Sequence, residues 1–163
     1  MTGTDGASNL RIRSLHPPDR TDWSRLWSAY QRFYEADIPA ATTEVTWRRL
    51  LDRAEPVHGA LALDAATGEA LGLVHFIEHR STWVATRSVY LEDLFVIPEA
   101  RGRGIARALI GHVADHAREL GAPAIHWLTH STNTTAQKLY DSVTGGRSGF
   151  IQYQLNIGAK SGD

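Results

Sequence analysis

The chain has 163 residues, of which 42% are hydrophobic and 21% charged, an ordinary composition for one soluble globular domain. The net charge of −1 gives no general attraction to nucleic acid, and the absence of cysteine excludes disulfides, thiolate metal sites and cysteine nucleophiles. The chain has no apolar run of about 18 residues and no secretory signal, so we expect a cytoplasmic protein without a membrane or nucleic-acid partner.

The first third of the chain predicts a tail, a strand and two helices. Residues 1–9 are small and polar and are expected to form a disordered tail. Residues 10–16 alternate apolar and basic side chains, which is typical of a strand. Aromatic residues three and four positions apart predict a helix over 19–36, and a Thr-Thr-Glu start predicts another over 42–54.

Three strands are predicted in the middle of the chain. Residues 58–64 and 70–81 are strand-like, and the turn-forming residues 65–69 between them indicate a hairpin. Residues 88–97 form the next predicted strand, which is rich in β-branched and aromatic side chains.

Helices and strands alternate in the last third. An apolar stripe predicts a helix over 105–120, which Gly121 and Pro123 end. The remaining predicted elements are a strand at 124–130, a helix at 133–143, a strand at 148–155 and a tail at 159–163. The order β-α-α-β-β-β-α-β-α-β predicts an α/β fold in a single domain over residues 10–158.

A glycine-rich loop joins the strand at 88–97 to the helix at 105–120. Backbone amides at such a helix start, with nearby arginines, suit a phosphate group. A dinucleotide fold is disfavoured because Arg107 stands where its third glycine is required, and a P-loop because Gly-Lys-Ser/Thr is missing. A glycine-rich turn with solvated arginines is the alternative to a phosphate site.

Three motifs make the interpretation more specific. Residues 101–106, RGRGIA, resemble the R/Q-x-x-G-x-G/A signature of the Gcn5-related N-acetyltransferase (GNAT) superfamily. Residues 90–96, YLEDLFV, resemble the preceding strand of its polyamine (diamine) and thialysine acetyltransferase branch. Residues 133–140 are similar to the family's N-x-x-A-x-x-L/F-Y helix, and residues 148–153, SGFIQY, resemble the last strand of bacterial Hpa2-like members.

The resemblance implies a single mixed central sheet flanked by helices, with acetyl-CoA as cosubstrate. Backbone groups of the strand would bind pantetheine, and the loop would bind the pyrophosphate. A homodimer is expected from the resemblance alone. The residues that would bind acetyl-CoA are Leu94, Phe95, Val96, Arg101, Gly102, Arg103, Gly104, Ile105, Ala106, Arg107 and Asn133.

Glu92 and Tyr140 are the candidate catalytic residues. An alkylamine has a pKa near 10 and needs a base at neutral pH, and a mid-strand carboxylate with a pKa raised by desolvation suits that role. In the resembling branch the glutamate of this motif contacts the amine and takes its proton through water. Tyr140 could protonate the departing thiolate. For Glu92 the alternative is a structural carboxylate, and Asp93, on the opposite strand face, is the candidate for such a structural role. For Tyr140 the alternative is a tyrosine that packs on the sheet.

Asn133 is expected to cap the helix that carries Tyr140. For the acceptor we expect Tyr34, Glu35, His75 and Glu92 to bind a cationic amine. Neither His112 with His116 nor His126 with His130 has an evident third ligand, so no metal site is predicted.

The function that these features indicate is acetyl-CoA-dependent N-acetylation of a primary amine, by direct attack in a ternary complex. A small amine, such as a polyamine or an amino acid, is the expected acceptor. A protein lysine or an antibiotic amine is the alternative acceptor, and a non-catalytic acyl-CoA sensor on the same fold is the rival function.

Overall fold

The computed structural model describes residues 9–158. These fall into two units, of which the first ends at Leu128 and the second begins at Thr129. The predicted tails lie outside the described residues except for Asn9, whose carbonyl oxygen accepts a hydrogen bond from the Ala65 amide at 2.8 Å. Within the described residues no helix is long and apolar enough to cross a membrane.

The first unit contains a β-sheet and its flanking helices in the predicted order. The strands are β1 (Leu10–Ser14), β2 (Val57–Asp64), β3 (Ala70–Arg80), β4 (Arg87–Val96) and β5 (Ile125–His126). The helices are α1 (Arg20–Phe33), α2 (Ala40–Leu51) and α3 (Ile105–Glu119). From β1 to α3, each element begins and ends within about three residues of its predicted position, the scatter usual for element ends.

The sheet has the order β1-β2-β3-β4-β5. The first four strands are antiparallel neighbours, and β5 is parallel to β4, so the sheet is mixed as predicted. A parallel neighbour requires a crossover connection, which α3 supplies between β4 and β5.

The two faces of the sheet are covered by different helices. Trp23 of α1 and Leu50 of α2 pack with Leu73 of β3 in the main apolar core. On the other face, a Cβ atom at Gly72 would lie 3.3 Å from the Leu109 side chain of α3. Because neighbouring strand residues point to opposite faces, α1 and α2 cover one face of the sheet and α3 the other.

A β-bulge interrupts β4 at Glu92. His75 of β3 pairs with Asp93, and Phe76 pairs with Leu91, so Glu92 has no partner on β3. Strict alternation of side chains along β4 would place Leu91 and Asp93 on one face. Their partners are instead consecutive residues of β3, so Leu91 and Asp93 point to opposite faces.

The structure differs from the sequence-based prediction at the last two predicted strands. β5 is limited to Ile125–His126, because its ladder with β4 consists of two residue pairs. Residues 148–155 form no strand, and Phe150 and Tyr153 are 86% and 87% exposed. Alternating apolar side chains favour a strand, but a strand forms only where its backbone finds a partner edge, and the second unit as described contains no sheet.

The second unit contains one described helix, α4 (Thr134–Thr144), as predicted from its capping and apolar pattern. The side chain of Asn133 accepts a hydrogen bond from the Ala136 amide at 3.2 Å, which confirms it as the N-cap. Gly145 ends the helix with a φ of 82°.

Candidate active site

The loop between β4 and α3 depends on two glycines with positive φ. Gly102 and Gly104 have φ values of 78° and 75°. A Cβ atom at either position would meet nothing within 4 Å, so the backbone conformation, and not lack of space, requires glycine there. The two glycines turn the chain from the end of β4 into α3.

The start of α3 presents backbone donors. The carbonyl oxygen of Gly104 accepts the first helical hydrogen bond, from the Ala108 amide at 3.0 Å. The amides of the first helical turn have no intrahelical acceptor, and the helix dipole adds partial positive charge there. Ile105 is 2% exposed and anchors this end of the helix in the core. The helix start is therefore suited to an anionic group.

The predicted phosphate-binding residues Arg101 and Arg103 contact other groups of the protein. Arg101 donates from Nε to the Val96 carbonyl oxygen at 3.2 Å, and its guanidinium lies 5.2 Å from the Phe33 ring centre. Arg103 pairs with the carboxylate of Asp64 at 3.2 Å. Arg101 and Arg103 thus line the loop, and Arg103 would have to exchange Asp64 for an anionic ligand.

The edge of β4 that faces β5 is largely unpaired. The two strands pair at Val89 and Tyr90, and beyond Tyr90 the described part of β4 has β3 as its sheet neighbour. Leu94 is half-buried, whereas Phe95 and Val96 are buried. The backbone of this segment therefore offers donors and acceptors beside the glycine loop.

Glu92 lies in the bulge with its side chain exposed. Partial desolvation by the surrounding protein raises the pKa of Glu92, and the charge of Asp93 raises it further, while His75 acts in the opposite direction. A higher pKa makes this carboxylate a better proton acceptor than an ordinary surface glutamate.

Asp93 points to the α1 face, where it contacts a buried histidine. His75 is 3% exposed, its Nδ1 lies 2.9 Å from Oδ2 of Asp93, and its Nε2 lies 2.9 Å from the indole nitrogen of Trp23. Since the indole N–H can only donate, Nε2 is the acceptor and Nδ1 carries the proton that it donates to Asp93. His75, expected in the acceptor pocket, lies in the core and holds Asp93 in place.

Tyr30 belongs to the aromatic stripe that predicts α1 and begins the segment 30–39 expected to form the acceptor site, but the sequence does not single it out as an acceptor residue. Burial raises the pKa of its phenol, and hydrogen bonding to Asp93 and the charge of Asp93 raise it further. Its ring stacks on Trp27 at 5.3 Å and lies 4.8 Å from the ring of Tyr34. Aromatic side chains thus extend from the core to the surface beside two carboxylates.

The remaining predicted acceptor residues lie where α1 ends. Tyr34 is 42% exposed. Glu35 is exposed and has a φ of 51°, the left-handed conformation that terminates helices. Tyr34 joins the aromatic group through Tyr30, whereas Glu35 lies beyond the helix.

In the second unit, Asn133, Ala136, Gln137 and Tyr140 form one face of α4. All four are half-buried, as is Leu139, whereas Thr134, Thr135 and Lys138 are exposed. This difference agrees with the predicted spacing of i, i+3, i+4 and i+7 along one helix face.

Comparison with known proteins gives matches to acetyltransferases. Residues 23–145 match the model of the acetyltransferase (GNAT) family, a range that includes Glu92, the glycine loop and Tyr140. The D-amino-acid N-acetyltransferase HPA3 of Saccharomyces cerevisiae is 38% identical over 132 residues, which are 81% of this chain and 82% of that protein.

Two further comparisons extend the similarity. A thialysine N-epsilon-acetyltransferase of Caenorhabditis elegans is 36% identical over 87 residues, 53% of this chain and 52% of that protein. A solved structure of a probable acetyltransferase has a TM-score of 0.81 at 26% identity, covering 92% of this chain and 99% of that one.

Proposed function

The chain belongs to the acetyltransferase (GNAT) family and is an N-acetyltransferase, and from this premise we propose the details of its reaction. It transfers the acetyl group of acetyl-CoA to a primary amine by direct attack in a ternary complex. The observation that carries the proposal is Glu92, a carboxylate of raised pKa in a β-bulge beside the unpaired edge of β4.

Acetyl-CoA binding would use the loop and the β4 edge. The amides at the start of α3 and the cations of Arg101, Arg103 and Arg107 suit the pyrophosphate. The backbone of Leu94, Phe95 and Val96 would hydrogen-bond the pantetheine amides and place the thioester next to Glu92. The family resemblance implies a pantetheine contact for Asn133 as well.

The acyl transfer needs two proton movements. The amine nitrogen forms a bond with the thioester carbonyl carbon as Glu92, directly or through water, takes the proton from that nitrogen. The C–S bond then breaks, and the coenzyme A thiolate receives a proton from the Tyr140 hydroxyl. The chain has no cysteine, and the direct route requires no acetyl-enzyme intermediate.

A small cationic amine is the favoured acceptor. Glu92 and Asp93 supply negative charge, and the rings of Tyr30 and Tyr34 supply aromatic surface, a combination that attracts an ammonium group before it is deprotonated. The relatives described above are named for D-amino acids and thialysine, which both carry amines. A protein lysine and an antibiotic amine are the alternative acceptors.

A panel of amines tests this function. The purified full chain is incubated with acetyl-CoA and, separately, a polyamine, L- and D-amino acids, thialysine, an aminoglycoside or a lysine peptide, and released thiol and acetylated product are measured. We expect the small amines to give the highest kcat/KM. A higher kcat/KM for the peptide would identify a protein acceptor, and no release with any amine would support a non-catalytic sensor instead.

We also propose a homodimer, as the family resemblance implies. Light scattering of the full chain at several concentrations measures its mass, and the mass of a single 18.0 kDa chain throughout would refute the dimer.

A further inference from the structure

Two histidines and a glutamate from three elements meet on the α3 face of the sheet. His58 lies on β2, Glu78 on β3 and His116 on α3, and their ligand atoms all lie within 4.8 Å of one another. Since Glu78 is three positions from His75 on β3, it points to the opposite face of the sheet from His75 and Asp93. The cluster is therefore separate from the proposed acyl-transfer site.

The imidazole nitrogens converge on one carboxylate oxygen. Nε2 of His58 lies 2.8 Å from Oε1 of Glu78, and Nε2 of His116 lies 2.9 Å from the same oxygen. Arg87 occupies the other oxygen, Oε2, at 3.0 Å. Oε1 and the two nitrogens thus surround a common point that Arg87 does not fill.

The His58 nitrogen is poorly satisfied by this arrangement. Nε2 of His58 is shielded from solvent and has no hydrogen-bond partner, although Oε1 of Glu78 is close, because proximity without alignment is not a hydrogen bond. A buried polar atom without a partner is costly. A bound ion that accepts the lone pair of this nitrogen would remove the cost.

The residue types of the cluster suit a cation, because imidazole nitrogens and carboxylate oxygens are both metal ligands.

From this geometry we infer that His58, Glu78 and His116 form a binding site for a divalent transition-metal ion, best matched by zinc. Two imidazoles and one carboxylate are a known zinc ligand set that leaves a fourth position for water, whereas magnesium and calcium prefer oxygen ligands alone. Tetrahedral ligands about 2.0–2.1 Å from zinc lie about 3.3 Å apart, so each of the two histidine nitrogens needs to move about half an ångström away from Oε1 of Glu78.

The ring of Phe76 packs against both histidines of the cluster. Its centre lies 5.2 Å from that of His58 and 5.0 Å from that of His116. This contact limits the rotation of both imidazoles, a role that the surroundings of metal ligands commonly have. A bound ion would join β2, β3 and α3 and thereby stabilise the first unit.

The sequence alone predicted no metal site, because neither histidine pair considered there has an evident third ligand. His112 and His116 are one turn apart on α3, but the structure combines His116 with residues from two strands. No local spacing could reveal ligands that are separated by 20 and 38 positions in the chain and that only the sheet register brings together.

Zinc titration of the full chain tests the inference. A sample without a histidine tag is treated with chelator and dialysed, then titrated with zinc by calorimetry, and its metal content is measured after gel filtration. We expect a single zinc ion per chain, a dissociation constant below about 1 μM and a melting temperature about 5 °C higher with excess zinc. Cobalt in place of zinc should give the visible absorption bands of a tetrahedral site.

Variants at the ligands and a matched histidine control complete the test. His58→Asn and His116→Asn should each weaken zinc binding by at least about 100-fold. His79→Asn, the same change on β3 outside the cluster, should leave it unchanged. The variants are compared by circular dichroism without metal, and cobalt absorption of the unmodified chain gives evidence that needs no variant. The inference is overturned by the absence of binding at micromolar zinc, by binding that persists in both ligand variants, or by equal loss in His79→Asn.

Discussion

Adjacent residues Glu92 and Asp93 carry the same functional group in different surroundings. Asp93 is fixed by the imidazole of His75 and by Tyr30, whereas Glu92 lies exposed in the bulge with a raised pKa. Two neighbouring carboxylates whose environments differ can take different roles. In the proposed mechanism Glu92 exchanges a proton with the amine, and its pKa is raised by partial desolvation and, to a smaller extent, by the neighbouring Asp93.

Replacing Glu92 tests the proton acceptor. Glu92→Gln should lower kcat/KM about 100-fold at neutral pH, since general-base catalysis contributes at least about that factor. Raising the pH towards 10 should restore part of the rate, because the amine then loses its proton without help. Glu99→Gln, the same change on an exposed residue of the following turn, is the control. An unchanged rate, or a loss accompanied by unfolding, would remove Glu92 from the mechanism.

Replacing Asp93 tests the electrostatic link between the two carboxylates. The charge of Asp93 raises the pKa of Glu92, so Asp93→Asn should lower that pKa. A base of lower pKa loses its proton at lower pH, so the acidic limb of the kcat/KM profile should move to lower pH. Asparagine retains an oxygen for His75, and Asp115→Asn on exposed α3 surface is the control. A limb that stays in place or moves to higher pH contradicts the link.

At the scale of elements, strand β4, the glycine loop and helix α3 together form the proposed cofactor site. The bulge and the short β5 leave the β4 backbone open, and the two positive-φ glycines direct the helix start to the same place. Each feature departs from regular secondary structure. Together they leave backbone donors accessible for the hydrogen bonds that we propose with acetyl-CoA, a long, flexible and anionic cofactor.

A glycine substitution separates stability from cofactor binding. Gly104→Ala forces a side chain into left-handed φ and should cost about 1–2 kcal/mol of unfolding free energy. It should also weaken acetyl-CoA binding about 10-fold or more, because the donor amides shift. Gly121→Ala, at the other end of α3 with a φ of 67°, carries the same strain. Calorimetry should show normal acetyl-CoA affinity for Gly121→Ala, and equal weakening in both variants would contradict a role for the loop.

At the scale of the whole molecule, bound acetyl-CoA should change the stability of the folded chain as well as permit catalysis. A ligand that binds the folded protein stabilises it by mass action. Thermal unfolding therefore reports on the cofactor independently of catalysis.

Acetyl-CoA at about 100 times its dissociation constant should stabilise the protein by about 2.7 kcal/mol, which corresponds to a rise in melting temperature of about 5–10 °C for a chain of this size. Differential scanning fluorimetry measures this rise, with adenosine as a control that lacks the pyrophosphate and pantetheine. No rise at millimolar acetyl-CoA, or the same rise with adenosine, would refute the assigned cofactor site.

The sequence by itself predicted the elements from β1 to α3, the helix α4 and its Asn133 cap, because periodic side chains and capping residues act locally. Its glycine loop and helix motif also indicated the family. Local spacing is sufficient for these features, since each depends on residues a few positions apart in the chain.

The tertiary structure alone decided where side chains meet. The bulge at Glu92, the burial of His75 behind Asp93, the position of Tyr30 and the cluster of His58, Glu78 and His116 all depend on strand register or helix packing. The absence of a strand at 148–155 has the same cause, because strand pairing requires a second edge that the strand's own sequence does not contain. The local sequence pattern determines which secondary structure a segment can form, and its long-range partners determine which groups its side chains contact.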